Sequence, residues 1–380
     1  MIASFHPLKE VMVNSKPLIR FTNLSRSAFE ISDQIDRVGA QINAFTSKEM
    51  TCYYTKSTKE HALGSIEVLS DIFFNSLFDQ EELEKEKGVI IEEINMSEDT
   101  PEELCLDLLA KSYNGETGLG RTILGPQKNI KRFTREDVIK YMDKYYTADN
   151  VVISVAGNVD IEETERVIKD LFSDKFTRRK SHKQKSTLKV SPTNLRKIKR
   201  IEQSHIGFCM KGIPVSDERC DALLIANTVL GGGMSSRLFQ KIREELGLAY
   251  SVYSYPSAYK DTGVLEIYAG VNTDSRDKAA KAIVEETKRF REYGVTDAEF
   301  LRAKEQVKSS LVFGQESTGA QMLLYGKHLI ILDEQFDINK RLDQILNITK
   351  DDVDKAIGKS FDIEKSSTAT VGVKRTPLKI

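Results

Sequence analysis

The side chains that could do chemistry in this 380-residue chain are few and scattered. No two of the five histidines, His6, His61, His182, His205 and His328, stand at i and i+4, the spacing that sets two imidazoles on one helix face within reach of one metal ion. The four cysteines, Cys52, Cys105, Cys209 and Cys220, include no C-x-x-C pair and read as reduced core or surface thiols. Glu86, Glu92 and Glu93 lie in a strongly charged segment and, on pattern alone, belong to an ordinary charged helix. Arg243 and Tyr250 read in the same terms as a helix-surface charge and a buried strand residue. The glycine run at 231–233 lacks the G-x-x-x-x-G-K-[ST] spacing of a phosphate loop. One stretch, Val13-Asn14-Ser15-Lys16-Pro17, fits no periodic pattern, and Pro17 would break a helix there.

The elements that must position these residues come from an ordinary composition. The length suits about two domains of roughly 100–200 residues each. Hydrophobic residues make up 40 % of the chain, enough to fill ordinary cores, and 56 basic residues balance 57 acidic ones. Nothing in that balance points to a nucleic-acid or membrane partner. No apolar run approaches the ~18 residues that cross a bilayer. The opening MIASFHPLKEVMV has no long apolar core of the kind a signal peptide carries. The expectation is a soluble, cytoplasmic protein.

The chain repeats itself. FTREDVIKYMDKYYTADNVVISVAGNVD, from Phe133, resembles ITKDDVDKAIGKSFDIEKSSTATVGV, from Ile348, with Thr134 and Thr349 both at N-cap positions and a β-rich run after each helix. Asp79 with Glu82, and Thr296 with Glu299, both open charged helices in the manner of capping boxes. The offsets are 215 for the first pair and 217 for the second, so the chain is read as a tandem duplication. GAQINAFT from Gly39 answers GLAYSVYS from Gly247 at an offset of 208. At that offset the strand beginning at Ser204 would fall before Met1. The first half is therefore expected to lack its N-terminal strand, with residues 1–25 cut short or replaced.

Three stretches together resemble the M16 (pitrilysin/insulinase-like, inverzincin) zinc metallopeptidases, in particular the small bacterial members and the mitochondrial processing peptidase subunits. They are residues 26–54 (RSAFEISDQIDRVGAQINAFTSKEMTCYY), 77–104 (LFDQEELEKEKGVIIEEINMSEDTPEEL) and 231–255 (GGGMSSRLFQKIREELGLAYSVYSY). The family's zinc site is H-x-x-E-H on one helix with a further Glu downstream. Its two His hold the metal, and its Glu acts as base on the zinc-bound water. Counted back from Arg26, that motif would occupy positions 13–17, where this chain has neither His nor the base; Lys16 stands at the base position. The resemblance makes Glu93 an orphaned metal ligand and Glu86 the acidic residue that once supported it. It makes Asn43-Ala44-Phe45-Thr46 the edge strand that pairs with an extended peptide. It gives Arg243 and Tyr250 contacts to substrate and to the oxygen of the tetrahedral intermediate.

These readings imply an α+β chain of two tandemly duplicated α/β halves of the LuxS/M16 metallopeptidase-like type, the first lacking its N-terminal strand. The expected division is an M16 N-terminal-type domain at 1–177, a basic linker at 178–197 and an M16 C-terminal-type domain at 198–380. The expected function is an endopeptidase scaffold that has lost its zinc motif, binds no zinc and is inactive alone. The alternative is a non-catalytic, peptide-binding subunit in a homodimer, or in a heterodimer with a motif-bearing M16 chain.

Overall fold

The computed structural model describes residues 2–4, 26–176 and 193–379. They fall into two compact units, each holding one sheet.

The first unit is Met1–Met96, Thr122–Ser186 and Gln315–Phe336. Its sheet has the order β2-β3-β1-β4, from β2 (Gln41–Thr46), β3 (Met50–Lys56), β1 (Ile2–Ser4) and β4 (Val151–Val152). Helix α1 (Ala28–Arg37) opens with Ser27, whose hydroxyl accepts from the Glu30 N–H while the Glu30 carboxylate takes the Ser27 N–H, a complete capping box. Ile31 and Ile35 on α1 meet Val68 and Ile72 on α2 (Ala62–Asn75), and Ile42 and Tyr53 of the sheet pack against them. Helix α3 (Gln80–Asp99) buries Ile90 and Ile94 with Ile130 of α5 (Gln127–Arg132) and with Phe133. Asp79 caps α3 through the N–H groups of Glu81 and Glu82, while the Glu82 carboxylate turns to Lys85. Helices α6 (Arg135–Tyr145) and α7 (Ile161–Phe172) complete the first-half segments.

The second unit is Ser97–Arg121, Thr187–Gly314 and Asp337–Ile380. Its sheet has the order β5-β9-β6-β8-β7, with β5 (Asn194–Ile198) parallel to β9 (Ser367–Gly372). The strands β6 (Gln203–Lys211), β8 (Gly263–Asn272) and β7 (Ala249–Ala258) join antiparallel. The main core sets Ile206, Phe208, Leu265 and Ile267 of the sheet against α8 (Cys220–Gly231), α9 (Arg276–Tyr293), α10 (Asp297–Gly314) and α13 (Lys350–Ser360). The repeat is visible in the caps: Thr134 with Asp137 on α6, and Thr349 with Asp352 on α13, make the same reciprocal box.

The α+β class and the duplicated halves stand, and one detail is corrected. The first half does have a strand in the place expected to be empty. β1 pairs antiparallel with both β3 and β4, as β6 pairs with β8 and β9. It has three residues where β6 has nine. A central gap would leave the facing N–H and C=O groups of β3 and β4 unpaired, and a short strand closes it. The fixed offset of 208 missed β1 because it assumed one spacing throughout. Of the stretch expected as a linker, residues 178–192 lie outside the described residues, and 194–197 begin β5.

The units do not follow the linear halves. Helix α4 (Pro101–Asn114), from the first half, belongs to the second unit and packs on β9 and β6. Helix α11 (Thr318–Leu332), from the second half, belongs to the first unit and packs on β1 and β4. The two begin 217 residues apart, at Pro101 and Thr318, the offset of the repeat itself. They are duplicate elements, reciprocally exchanged.

α4 is fully fitted to its bed. Cys105 and Leu109 have no exposed surface and join Cys209, Val264, Tyr268, Ala369 and Val371 in one apolar cluster. A Cβ on Gly207 would stand 2.9 Å from a Leu109 methyl, so the strand is glycine where the leucine sits. At the helix start the Tyr253 hydroxyl donates to Glu102 at 2.5 Å, and at its end Ser367 donates to the Ser112 carbonyl at 3.0 Å. A fragment of residues 193–380 keeps β5 but lacks α4, and is expected to bind ANS and lack a cooperative melt. A peptide of residues 97–121 added in trans should restore the melt, and Leu109→Ala in that peptide should weaken the rescue by roughly 2–5 kcal/mol, read by titration against fluorescence.

Candidate functional site

The expected site residues fall in three places. Positions 13–17, Lys16 among them, lie outside the described residues. Glu93 sits half-buried on α3, and its Oε2 has no hydrogen-bond partner among the described residues. Glu86 lies two turns earlier and is buried. An orphaned, shielded carboxylate oxygen is what one ligand of a metal site would be. The rest of the set does not fit. A zinc site takes at least three protein ligands. Among the described residues no group of three His, Cys, Asp or Glu could hold an ion. His205 is tied through Nδ1 to the Tyr268 hydroxyl at 2.6 Å, and His328 through Nδ1 to the Glu334 carbonyl at 2.9 Å. Val13, Asn14, Ser15, Lys16 and Pro17 supply no imidazole, thiolate or carboxylate. No chemical step is therefore derived through a metal. A cysteine nucleophile finds no better support: burial pushes the Cys52 thiol up to about 11 and those of Cys105 and Cys209 well above their ordinary range.

The second place is β2, at the edge of the first sheet. It pairs with β3 in unbroken register from Gln41↔Lys56 to Thr46↔Thr51, and no described strand pairs with its outer side. Ala44 is buried, and its N–H donates to the Asn43 side chain at 2.8 Å. Phe45 meets Tyr54 edge-on at 6.4 Å, and Lys56 Nζ lies 6.0 Å over Tyr54. The duplicate edge, β7, is built differently. It has a bulge between Ala249 and Ser251 and carries Pro256 near its C-terminal end. Both features blunt an edge against further pairing. Of the two edges, the one with Asn43, Ala44, Phe45 and Thr46 is the regular one.

The third place is in the second unit, where Arg243 and Tyr250 do come together. Residues Phe239–Glu245 form a π-helix, with Leu246 N–H bonded to the Lys241 carbonyl five residues back. Gly247, at φ +59°, ends it in the left-handed region that favours glycine. Arg243 Cζ lies 4.8 Å from the Phe239 ring centre and 5.2 Å from that of Tyr250. Tyr250 is 77 % exposed rather than buried in its strand. The sequence reading missed the π-helix, since FQKIREELG reads as an ordinary amphipathic turn. The aromatic four residues before Arg243 was the available signal. Rare π segments gather at functional positions.

The glycine run before this helix is a packing feature. A Cβ on Gly231, the last residue of α8, would lie 2.3 Å from Ser254 Oγ and 2.5 Å from the Ser254 nitrogen, whereas one on Gly233 meets nothing. Asn227 and Ser254 exchange two hydrogen bonds across the same contact. Beyond the run, Arg237 grips Glu299 through two bonds of 2.7 Å, reaches the Gly294 carbonyl and lies over Phe290. Glu299 also closes the Thr296 capping box.

Residues 19–127 match the family model for insulinase, peptidase family M16, and residues 132–307 that for the peptidase M16 inactive domain. An uncharacterized zinc protease of Bacillus subtilis is 43 % identical over 327 residues, 85 % of this chain and 78 % of its own. One from Streptomyces coelicolor is 36 % identical over 354 residues, 91 % of this chain and 77 % of its own. Among solved structures, a protease from Helicobacter pylori superimposes with a TM-score of 0.89 at 20 % identity, covering 98 % of this chain and 92 % of that one. A peptidase M16 inactive domain from Pseudomonas fluorescens gives 0.85 at 19 %, covering 95 % and 88 %. The fold is that of the M16 peptidases. The chain belongs to peptidase family M16.

Two outcomes follow from this geometry. Gly231→Ala should lower the melting temperature by an amount equivalent to about 1–3 kcal/mol, while Gly233→Ala should be near neutral, both by calorimetry. The Arg237 guanidinium, with the Thr296 N–H and hydroxyl, holds the Glu299 carboxyl down at about 2, below its ordinary 4.5. A depressed carboxyl contributes stability above its unfolded value and loses it as pH falls through the folded one. The stability gap between the wild type and Glu299→Gln should therefore be full at neutral pH and close between about pH 4.5 and 2 in a pH series of melts.

Proposed function

We propose that this M16 chain is a peptide-binding scaffold without endopeptidase activity of its own. The observation that carries the reading is the sequence at positions 13–17, Val-Asn-Ser-Lys-Pro, which contains no His, Glu or Asp where the count back from Arg26 would put the family's H-x-x-E-H. In this reading Glu93, with its unpartnered oxygen, is the one remaining metal ligand, Glu86 is its former support, and zinc is not bound. The regular edge of β2 supports the peptide-binding half of the proposal. An extended peptide added there would gain backbone hydrogen bonds along Asn43–Thr46, with side chains alternating in contact. Arg243 and Tyr250 are its second contribution to substrate.

A second reading makes the chain a non-catalytic subunit, paired with itself or with a motif-bearing M16 chain. The observation that favours it is that the binding features persist while the metal positions do not. The division into tandem M16-type halves at 1–177 and 198–380, joined by 178–197, is part of the proposal. So is cytoplasmic residence, for which the four free cysteines speak. No described helix is long and apolar enough to cross a membrane.

The test is metal analysis with a cleavage and binding assay on the full chain. Zinc well below one equivalent, no chelator-sensitive cleavage of an unfolded peptide, and measurable peptide binding are expected. Ala44→Pro, which removes the backbone N–H that a peptide would take over from the Asn43 side chain, should weaken binding by up to about tenfold, a net hydrogen bond. Stoichiometric zinc with cleavage abolished by Glu93→Gln would overturn the proposal.

A further inference from the structure

The second sheet ends on β5, and no described strand pairs with its outer side. The Thr193 carbonyl accepts from the Thr368 N–H, and the Lys199 N–H donates to the Gly372 carbonyl. Thr193, Leu195, Lys197 and Lys199 therefore turn their backbone groups toward β9. The alternation of a strand then turns the N–H and C=O groups of Asn194, Arg196 and Ile198 outward, and among the described residues no hydrogen bond reaches them. Unlike β7, this edge is not blunted by its backbone. Its register runs unbroken from Asn194↔Thr368 to Ile198↔Gly372, without proline, and Ile198 is 45 % exposed. What the edge carries is positive charge. Lys197 and, just past the strand, Arg200 are exposed and make no ion pair among the described residues. The Arg196 guanidinium donates to the Arg375 carbonyl, a neutral partner, which sets a further exposed arginine beside the strand. Only Lys199 has a carboxylate, that of Asp99 at 2.7 Å.

We propose that β5 is a docking edge for an acidic, extended segment of a partner protein, which adds to the five-stranded sheet as a further strand. The inference is independent of the peptide-binding reading above, which concerns β2. Outward backbone groups supply the hydrogen bonds of an added strand, and side chains set the preference among sequences. Successive side chains of a strand point to opposite faces, so Arg196 and Lys197 flank the edge on both sides of the sheet. A carboxylate on either face of the incoming strand thus meets a cation directly across from it or one step along. A second copy of this chain is a poor occupant. Pairing β5 with β5 would set Arg196 and Lys197 against their own kind, and like charges across a ladder are destabilising. The same charges keep the open edge from joining uncharged strands at random. A strand of opposite charge is the complement that remains.

The experiment measures fluorescence anisotropy of a labelled β-prone peptide carrying several Glu residues, and of the same peptide with Gln in their place, on the full chain at low salt. The Glu peptide should bind about tenfold tighter than the Gln peptide, and the ratio should shrink as salt is added. Lys197→Gln combined with Arg200→Gln, neither of which breaks an ion pair among the described residues, should cut the ratio to about threefold or less. Ile198→Pro removes an outward N–H without touching the bonds to β9, and should weaken the Glu peptide by up to about tenfold. Circular dichroism melts check that the variants are folded, and the double Gln variant decides the matter if the proline variant is not. Equal binding of the two peptides to the wild type overturns the inference. So does a Glu preference that survives the β5 variants and is lost with Ala44→Pro, which would place the site on β2. If a single-stranded oligonucleotide binds as tightly as the Glu peptide and Ile198→Pro changes neither, the edge is a general polyanion surface and the strand-docking inference falls.

Discussion

Leu109 lying against Gly207 is the contact on which the second unit depends. The leucine comes from the first half of the sequence and the glycine from the second, yet both sit at the centre of one apolar bed. With Glu102 held by Tyr253 at one end of the helix and Ser112 by Ser367 at the other, α4 is fixed in position, in rotation and along its axis. The same exchange in the opposite sense puts α11 on β1 and β4, with Ser154 donating to the Met322 carbonyl at 2.9 Å. Neither unit completes its sheet covering from one half alone. That gives a duplicated chain a physical reason to keep both copies.

Much of this was legible in the residues, and the rest was not, for identifiable reasons. Caps are local, so Thr134 and Thr349 could be read directly, and the offset between them revealed the duplication. The exchange of α4 and α11 was invisible because amphipathic helices say that they need a partner and not which one. β1 was missed because three residues carry no periodicity, and its place follows only from what β3 and β4 leave open. The pairing of Arg243 with Tyr250 followed from the family pattern. The π-helix that presents Arg243 depends on packing around Ile242 and on Gly247, which no window of charge or hydropathy reports.

Two arginines of the second unit act in opposite ways. Arg237 is closed: its donors meet Glu299 and Gly294, and it makes the glycine run and the start of α10 one piece. Arg243, six residues later, is stacked on two rings and makes no hydrogen bond among the described residues. The first ties elements together through hydrogen bonds, and the second is held by ring stacking.

The helix exchange also sets the order in which the molecule can be finished during synthesis. Residues 41–172 supply β2, β3, β4 and α7 early, but α11 does not exist until residue 332 has been made. At roughly 5–20 residues per second, the first sheet waits on the order of ten to thirty seconds with one face uncovered on the ribosome. A nascent chain in that state is a natural client for a ribosome-associated chaperone.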